Sequence, residues 1–214
     1  MLEDISGDQI KEQFKSNKKL RLTTMIIGGL AVIVLGIFVY RQFVWSPANE
    51  KSKDSYWEGL NLAVAPDSTD AAIDELSASV KKYDGKIGGE VAQFTYARQL
   101  MEKGEFQNAL KELQGVDLND TYVRIMAIGL QADCHSELED YEKAANMYVE
   151  AAEMSDNEFT APLYLMKAGL CAEEIKNFDK ASECYETIKD KYTAFASQKQ
   201  IDKYIARVKK ETKK

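Results

Sequence analysis

The sequence has few of the residues on which most catalytic and metal sites depend. Its 214 residues include one histidine and three cysteines. A single imidazole excludes multi-histidine metal sites, and three cysteines cannot all pair within one chain, which excludes a disulfide scaffold. The chain also lacks a phosphate-binding glycine loop and the HExxH, GxSxG and CxxC motifs. We therefore predict no enzymatic activity, no cofactor and no metal site.

Basic charge and helix-breaking residues are also scarce. The formal net charge is −7 and the isoelectric point is near 5.0, which excludes nucleic acid as the main partner because phosphate binding needs a basic surface. Three prolines and twelve glycines leave long uninterrupted stretches for helix, and apolar residues make up 45% of the chain. The composition predicts an all-α protein with a packed core.

One long apolar run does occur, close to the N-terminus. Residues 22–40 read LTTMIIGGLAVIVLGIFVY and contain no charged residue. As a helix they would span about 28 Å, close to the hydrocarbon thickness of a bilayer. Tyr40 and Trp45 follow at one end, where aromatic rings favour the headgroup region. We predict a transmembrane signal anchor at residues 22–45 that contacts the lipid bilayer.

The basic residues around this run predict its orientation. Lys15, Lys18, Lys19 and Arg21 precede it, whereas Arg41 alone follows closely. Since basic residues stay in the cytoplasm, we expect residues 1–21 to form a cytoplasmic head and the rest of the chain to lie outside the membrane. A cleaved signal peptide and a buried soluble helix are the alternatives. The former is disfavoured by the length of the run and the absence of an A-x-A site after it.

The remainder of the chain contains an internal repeat. Three segments place an aromatic residue, an alanine three positions later, a large residue four further on and an apolar residue three after that. They begin at Phe106, Tyr141 and Phe178, so the pattern recurs after 35 and 37 residues. These offsets follow one stripe of a helix, and the alanines Ala109, Ala144 and Ala181 would let a neighbouring helix approach closely.

A second amphipathic run precedes each of these segments, and together they form helix pairs. The runs are Glu90–Lys103, Ile125–Leu138 and Pro162–Lys176, with a small residue (Ala97, Ala132 or Gly169) where the paired helices should cross. This arrangement resembles the tetratricopeptide repeat, a helix–turn–helix unit of 34 residues. The resemblance implies an α-solenoid of three units at 90–196.

The flanking segments complete the predicted organisation. Residues 46–53 read as a polar linker, and 54–89 resemble a degenerate helix pair with helices near Ser55–Val64 and Thr69–Tyr83. Residues 197–214 read as an amphipathic capping helix near Gln198–Lys210 followed by a basic tail. A cap with a polar outer face is what a stacked array needs for solubility.

A cytoplasmic head, a single anchor, a linker and a compact repeat domain are together similar to the YfgM-type family of ancillary subunits of the bacterial secretion translocon. The run from Asp156 to Gly169 resembles versions from bacteria related to Bacteroides. The resemblance implies an inner-membrane protein with a periplasmic repeat domain. Its expected function is that of a non-enzymatic scaffold that assists secretion or periplasmic chaperones at the Sec translocon. The expected partners are translocon subunits, a membrane-anchored folding factor and emerging secretory clients. The alternative is a structural scaffold in envelope assembly unrelated to secretion.

The same resemblance implies a partner-binding surface, because the first helix of each unit lines a concave face. Transferring the family's register predicts an apolar strip with an acidic margin and one cation, Arg98. That charge balance argues against the carboxylate clamp of cytosolic chaperone adaptors. The alternative is that several strip residues are core, covered by the preceding helix pair. The predicted site comprises Phe94, Arg98, Met101, Met126, Asp133, Leu163, Met166, Leu170, Glu173 and Glu174.

The histidine and the cysteines are expected to be structural. His135 falls where the family has a packing tyrosine, and its neighbour Cys134 points about 100° away on a helix, so the two cannot form a dyad. Cys134 and Cys171 occupy equivalent positions in successive units, too far apart for a disulfide. A bond between Cys171 and Cys184 stays open, but we favour three small buried hydrophobic side chains.

Overall fold

The computed structural model describes residues 7–118, 120–154 and 156–212, and within these ranges the chain is helical without a strand. The chain divides after Lys51 into two compact parts, Met1–Lys51 and Ser52–Lys214. We call them the N-terminal segment and the helical domain. The predicted all-α fold with one long apolar helix near the N-terminus is confirmed.

The N-terminal segment is built around its apolar helix. Helix α1 spans Gly7–Ser16, and α2 spans Lys18–Tyr40. Asn17 caps α2, because its side-chain oxygen accepts hydrogen bonds from two amides of the first turn. A π-helical turn, Arg41–Trp45, ends the apolar run, and the Arg41 guanidinium lies 5.5 Å from the centre of the Trp45 ring.

Helix α2 buries none of its residues against protein. Its most apolar window has a mean hydropathy of 2.5, and within the described residues it is the one helix long and apolar enough to cross a membrane. The segment predicted as a polar linker is instead helical, with α3 spanning Ser46–Ser52.

In the part of the helical domain that the structure describes there are ten further helices, and each packs against the next along the chain. Their bounds are α4 Trp57–Val64, α5 Thr69–Lys82, α6 Ile87–Glu102, α7 Phe106–Gly115, α8 Thr121–Glu137, α9 Tyr141–Met154, α10 Thr160–Glu174, α11 Phe178–Lys191, α12 Thr193–Lys199 and α13 Ile201–Glu211. Short connections make consecutive long helices antiparallel, so α6, α8 and α10 run in the same direction. After α11 the chain passes through the short helix α12 and returns, with α13 packed on α11.

Three hairpin turns have the same backbone geometry. Gly104, Glu139 and Lys176 follow α6, α8 and α10 and have φ values of 79°, 63° and 57°. In each turn the next amide donates to a carbonyl five residues back, at 2.8–2.9 Å. This arrangement satisfies carbonyls that a helix C-terminus otherwise leaves without donors. The turns recur after 35 and 37 residues, the spacing of the sequence repeat.

Side-chain contacts between successive helix pairs recur at nearly constant sequence separation. Residues 34 to 36 positions apart are hydrogen-bonded at several places along the domain. The pairs are Ser52 with Gly88, Asp133 with Lys167, Ser136 with Cys171, Asn146 with Lys180, Asp156 with Tyr192 and Glu173 with Arg207. Equivalent positions of neighbouring pairs therefore lie side by side.

Small residues form the crossings between paired helices, as predicted. Ala109, Ala144 and Ala181 are fully buried, and so are Ala97 and Ala132. Gly169 is buried too, where an added Cβ would lie 2.5 Å from the Tyr185 ring. Each crossing is close enough that a methyl group or less fits between the two helices.

Candidate functional site

The helices α6, α8 and α10 line a cavity of 560 Å³ together with one residue each from α7 and α9. We call this cavity the groove. The lining residues are Met101, Glu102, Phe106, Asp133, Ser136, Glu137, Tyr148, Lys167, Leu170 and Cys171. Three predicted site residues, Met101, Asp133 and Leu170, thus share one cavity.

A polar network at Asp133 holds part of the groove wall in place. The Lys167 ammonium donates to Asp133 Oδ1 at 2.6 Å, and the Tyr148 hydroxyl donates to the same oxygen. Lys167 also lies 5.4 Å from the centre of the Tyr148 ring. Burial and the Asp133 carboxylate raise the pKa of Tyr148, so its hydroxyl remains a protonated donor at neutral pH. The network neutralises Asp133 and joins α8, α9 and α10.

The predicted apolar strip divides into exposed and packed residues. Met126, Leu163 and Leu170 are each at least 40% exposed. Phe94 and Met101 are partly buried and pack on the core formed by α6, α7 and α8, and Met166 packs on the core formed by α8 to α11 and α13. The structure therefore presents part of the strip to solvent and uses part of it for folding.

The predicted acidic margin divides in a similar way. Glu173 is engaged by the C-terminal helix, because Arg207 donates to both of its oxygens at 2.6 and 2.8 Å and the Tyr185 hydroxyl donates at 2.7 Å. Arg207 also stacks on the Tyr204 ring at 4.8 Å. Glu174 and Arg98 are exposed, and neither forms an ion pair with another described residue.

Sequence reasoning missed Lys167, and the expectation that Arg98 is the single cation of this face was wrong. Lys167 lies four residues after Leu163 and three before Leu170, so it falls on the same helical stripe. The spacing along this stripe would therefore have been enough to predict Lys167 as a residue of this face. The Arg207 partner of Glu173 had no such signal, because it comes from a helix outside the three predicted units.

His135 packs inside the domain and not in the groove. It is 5% exposed, its Nδ1 lies 3.2 Å from an oxygen of Asp140, and its Nε2 is buried without a hydrogen-bond partner. Burial, followed by the charge of Lys143, lowers the pKa of His135, while Asp140 acts in the opposite direction. A neutral imidazole held by Asp140 at the α8–α9 turn fits the expected packing role.

The three cysteines are free thiols and all are buried. Burial raises the pKa of Cys134 and of Cys184 to about 11, and it also raises the pKa of Cys171. Thiolates are the reactive form of cysteine, so these side chains are chemically quiet at neutral pH. Cys171 lies in the groove wall, where its sulfur is 3.7 Å from the Ser136 hydroxyl.

The groove combines partly buried apolar side chains, the exposed Leu170, one neutralised carboxylate and the carboxylates of Glu102 and Glu137, which form no ion pair with another described residue. Among the described residues, no group of three or more His, Cys, Asp or Glu side chains is placed to hold a metal ion. No protein-family model matches the chain, and no curated protein matches it.

Proposed function

We propose that the helical domain is a tetratricopeptide-type α-solenoid. The three equivalent hairpin turns and the contacts at 34 to 36 residues support this proposal. In such an array each helix pair contacts only its neighbours, and the first helices line one continuous face. On this interpretation α4 and α5 form the degenerate first pair and α13 caps the last unit.

The apolar helix α2 is proposed to anchor the domain in a bacterial inner membrane. Its length of about 34 Å suffices to cross a hydrocarbon core, and none of its residues is buried against protein. The basic residues before it favour a cytoplasmic N-terminus and a periplasmic helical domain.

The proposed function is that of a non-enzymatic scaffold that binds other proteins through the groove. The observation that carries this proposal is the exposure of Leu170, Met126 and Leu163 on the groove helices. We further propose that the chain belongs with the YfgM-type subunits and acts at the Sec translocon. There it would hold a membrane-anchored folding factor or emerging secretory clients. Anchoring raises the local concentration of such partners without any new contact.

Copurification of the intact protein in mild detergent tests this function. We expect translocon subunits to copurify with the wild type and to be lost with Leu170→Glu, since an interface anchor commonly contributes 2 kcal/mol or more, roughly thirtyfold in affinity. Ile175→Glu is the matched control, because Ile175 is also 40% exposed and lies just past the end of α10, outside the groove lining.

Circular dichroism melting of both variants must show intact folding. Recovery of envelope-assembly proteins in place of translocon subunits would favour the alternative scaffold. Equal recovery of partners with Leu170→Glu and with wild type would place the binding surface elsewhere.

A further inference from the structure

The groove has two chemically different ends because its three helices run in parallel. The contacts between Asp133 and Lys167 and between Ser136 and Cys171 set α8 beside α10 in parallel register. The carboxyl ends of α6 and α8 therefore lie at one end of the groove, with Glu102 and Glu137. The amino-terminal halves of α8 and α10 lie toward the other end, with the exposed Met126 and Leu163.

The carboxyl end carries uncompensated negative charge. Of the charged residues that line the groove, Asp133 and Lys167 neutralise each other. Glu102 and Glu137 are exposed, and neither forms an ion pair with another described residue. Helix carboxyl termini add partial negative charge in the same place.

Further carboxylates surround this end. Glu139 and Glu174 act with Glu137 on the Tyr141 phenol, whose pKa is raised first by burial and then by these charges. Two cations lie near Glu102: Arg98, one helical turn before it, and Lys103, which caps α6 and pairs with Asp70 and Glu105. The acidic character therefore extends beyond the groove lining itself.

Apolar side chains line the groove beside the glutamates, and further exposed apolar side chains lie toward the amino-terminal ends of α8 and α10. Met101, Phe106 and Leu170 line the cavity. Met126 and Leu163 lie seven residues before Asp133 and Leu170, on the same helical stripes of α8 and α10, and are 42% and 43% exposed. Leu163 also borders a separate cavity that Phe159 and Phe195 line. A ligand that covers this surface must present apolar side chains over one part of its length.

We propose that the groove binds a basic amphipathic segment of another protein in one orientation. The segment's lysine or arginine side chains lie against Glu102 and Glu137, and its apolar side chains lie against Leu170, Met126 and Leu163. This inference rests on the proposed function and specifies the partner's chemistry. A peptide ending in a carboxylate is disfavoured, because the same two glutamates repel it and Lys167 is already held by Asp133.

Peptide binding to the full-length protein in nanodiscs of zwitterionic lipid tests the charge preference. The probes are a fluorescein-labelled peptide with a leucine-rich half and a lysine-rich half, and a counterpart with every lysine replaced by glutamate. Fluorescence anisotropy, corrected with empty nanodiscs, should show the glutamate peptide binding at least tenfold more weakly. Equal affinity for the two peptides would overturn the proposal.

Removing the groove charges should have a matching effect. Glu102→Gln/Glu137→Gln should weaken the lysine peptide roughly fivefold, the sum expected for two partly exposed ion pairs. Glu150→Gln is the matched control, since Glu150 is an exposed carboxylate on α9 outside the groove lining. An unchanged affinity in the double variant would also overturn the proposal.

The NMR signals of two methionine methyl groups can report the orientation of the bound peptide. Met101 adjoins Glu102, whereas Met126 lies eleven residues before Glu137 on α8, about 16 Å along the helix axis. A spin label on the lysine-rich end of the peptide should broaden the NMR signal of the Met101 methyl group more than that of Met126. Greater broadening of Met126 would reverse the orientation and refute the charge assignment.

The two proposals can fail separately. If Leu170→Glu removes the copurified partner but the lysine peptide does not bind, the scaffold function stands and the proposed partner chemistry fails. If the peptide binds as expected and Leu170→Glu leaves the natural partner bound, the partner chemistry stands and the natural docking surface lies elsewhere.

Discussion

Helix α2 and the helices of the helical domain form the same kind of backbone hydrogen bonds, but they differ in whether their side chains are buried. Helix α2 is apolar around its whole circumference and buries no residue. Helix α9 buries one face and exposes the other, and most of its buried residues are alanines. A helix that is apolar on all sides is not stable when surrounded by water, whereas a helix with one apolar face requires a neighbouring helix at close range.

This contrast teaches what small residues do in each context. Gly28, Gly29 and Gly36 in α2 have nothing within 4 Å of the position that a Cβ would take. In the domain, an added Cβ on Gly88 would lie 1.7 Å from the carbonyl oxygen of Ser52. The same residue type is therefore incidental in α2 and obligatory in α6, and sequence alone does not distinguish the two cases.

The largest expected effect concerns the insertion of α2 into a membrane. Residues 22–40 contain eleven Leu, Ile, Val and Phe residues, each of which favours insertion by roughly 0.3–0.6 kcal/mol. Two central arginines together cost about 5–7 kcal/mol, which offsets that sum. Val32→Arg/Ile33→Arg should therefore move the protein from the alkali-extracted membrane fraction to the soluble fraction.

Thr23→Arg/Thr24→Arg is the control for this experiment, because arginines near a helix end reach the interface and should leave the protein in the membrane. Protease added to spheroplasts should digest the domain of the control. A protected domain would contradict the proposed orientation, and retention of the central double variant in the membrane would contradict spanning by α2.

The next effect compares glycines directly across the two regions. Gly88→Ala forces a methyl group against the Ser52 backbone and should lower the free energy of unfolding by about 3 kcal/mol, the upper part of the overpacking range. For a domain of this size the melting temperature should fall by about 6–12 °C. Gly36→Ala should leave the melting of the domain unchanged. Thermal circular dichroism of both variants in detergent gives the comparison, and similar melting curves would show that α6 does not approach Ser52 closely.

Most of the helices and their crossing residues could be predicted from the sequence, because apolar periodicity and small residues are local signals. The helix starts were less predictable. Helix α6 begins at Ile87 and not Glu90, since Gly88 and Gly89 have poor helix propensity but are held by contacts with distant backbone. Helix α12 was not predicted. The expected capping helix near Gln198–Lys210 is in the structure divided at the left-handed Gln200, with α12 before it and α13 starting at Ile201.

The groove was predictable in part. Transferring the repeat family's register identified Met101, Asp133 and Leu170, one residue on each of α6, α8 and α10. The neutralisation of Glu173 by Arg207 depends on how α13 returns to α11, and no local pattern encodes that return. Whether Phe94 and Met166 bind a partner or belong to the core likewise depends on which neighbour covers them, so their assignment as binding residues stays a prediction.

A smaller effect concerns the pH dependence of stability that the buried polar side chain of His135 gives the helical domain. The pKa of His135 is lowered in the folded state, so below the unfolded pKa of about 6.5 the unfolded chain binds more protons. Stability should therefore be complete above that pH and fall as the pH decreases, by at most about 1.4 kcal/mol per pH unit.

His135→Leu should remove this pH dependence while leaving stability at pH 8 within about 1 kcal/mol of wild type, because an apolar side chain needs no partner for the buried Nε2. Asp140 is half exposed and remains hydrated in the variant. Urea unfolding at pH 8 and at pH 5.5 measures both quantities. An equal loss of stability on acidification in the variant and the wild type would assign the effect to other groups.

The smallest effect tests the turns, which α2 as one continuous helix does not need. Glu139 adopts a left-handed conformation with φ of 63°, which costs an L-residue roughly 1–2 kcal/mol. Glycine has no such cost but loses more backbone entropy on folding, so Glu139→Gly should raise the free energy of unfolding by about 0.5 kcal/mol, or about 1–2 °C in melting temperature.

The equivalent Gly104→Ala, with φ of 79°, should be destabilising. Glu142→Gly, an exposed position in the first turn of α9, removes the same charge and should also be destabilising. If Glu139→Gly lowered the melting temperature as Glu142→Gly does, the turn after α8 would not share the geometry of the turn at Gly104, and the structural equivalence of the repeat units would fail at that point.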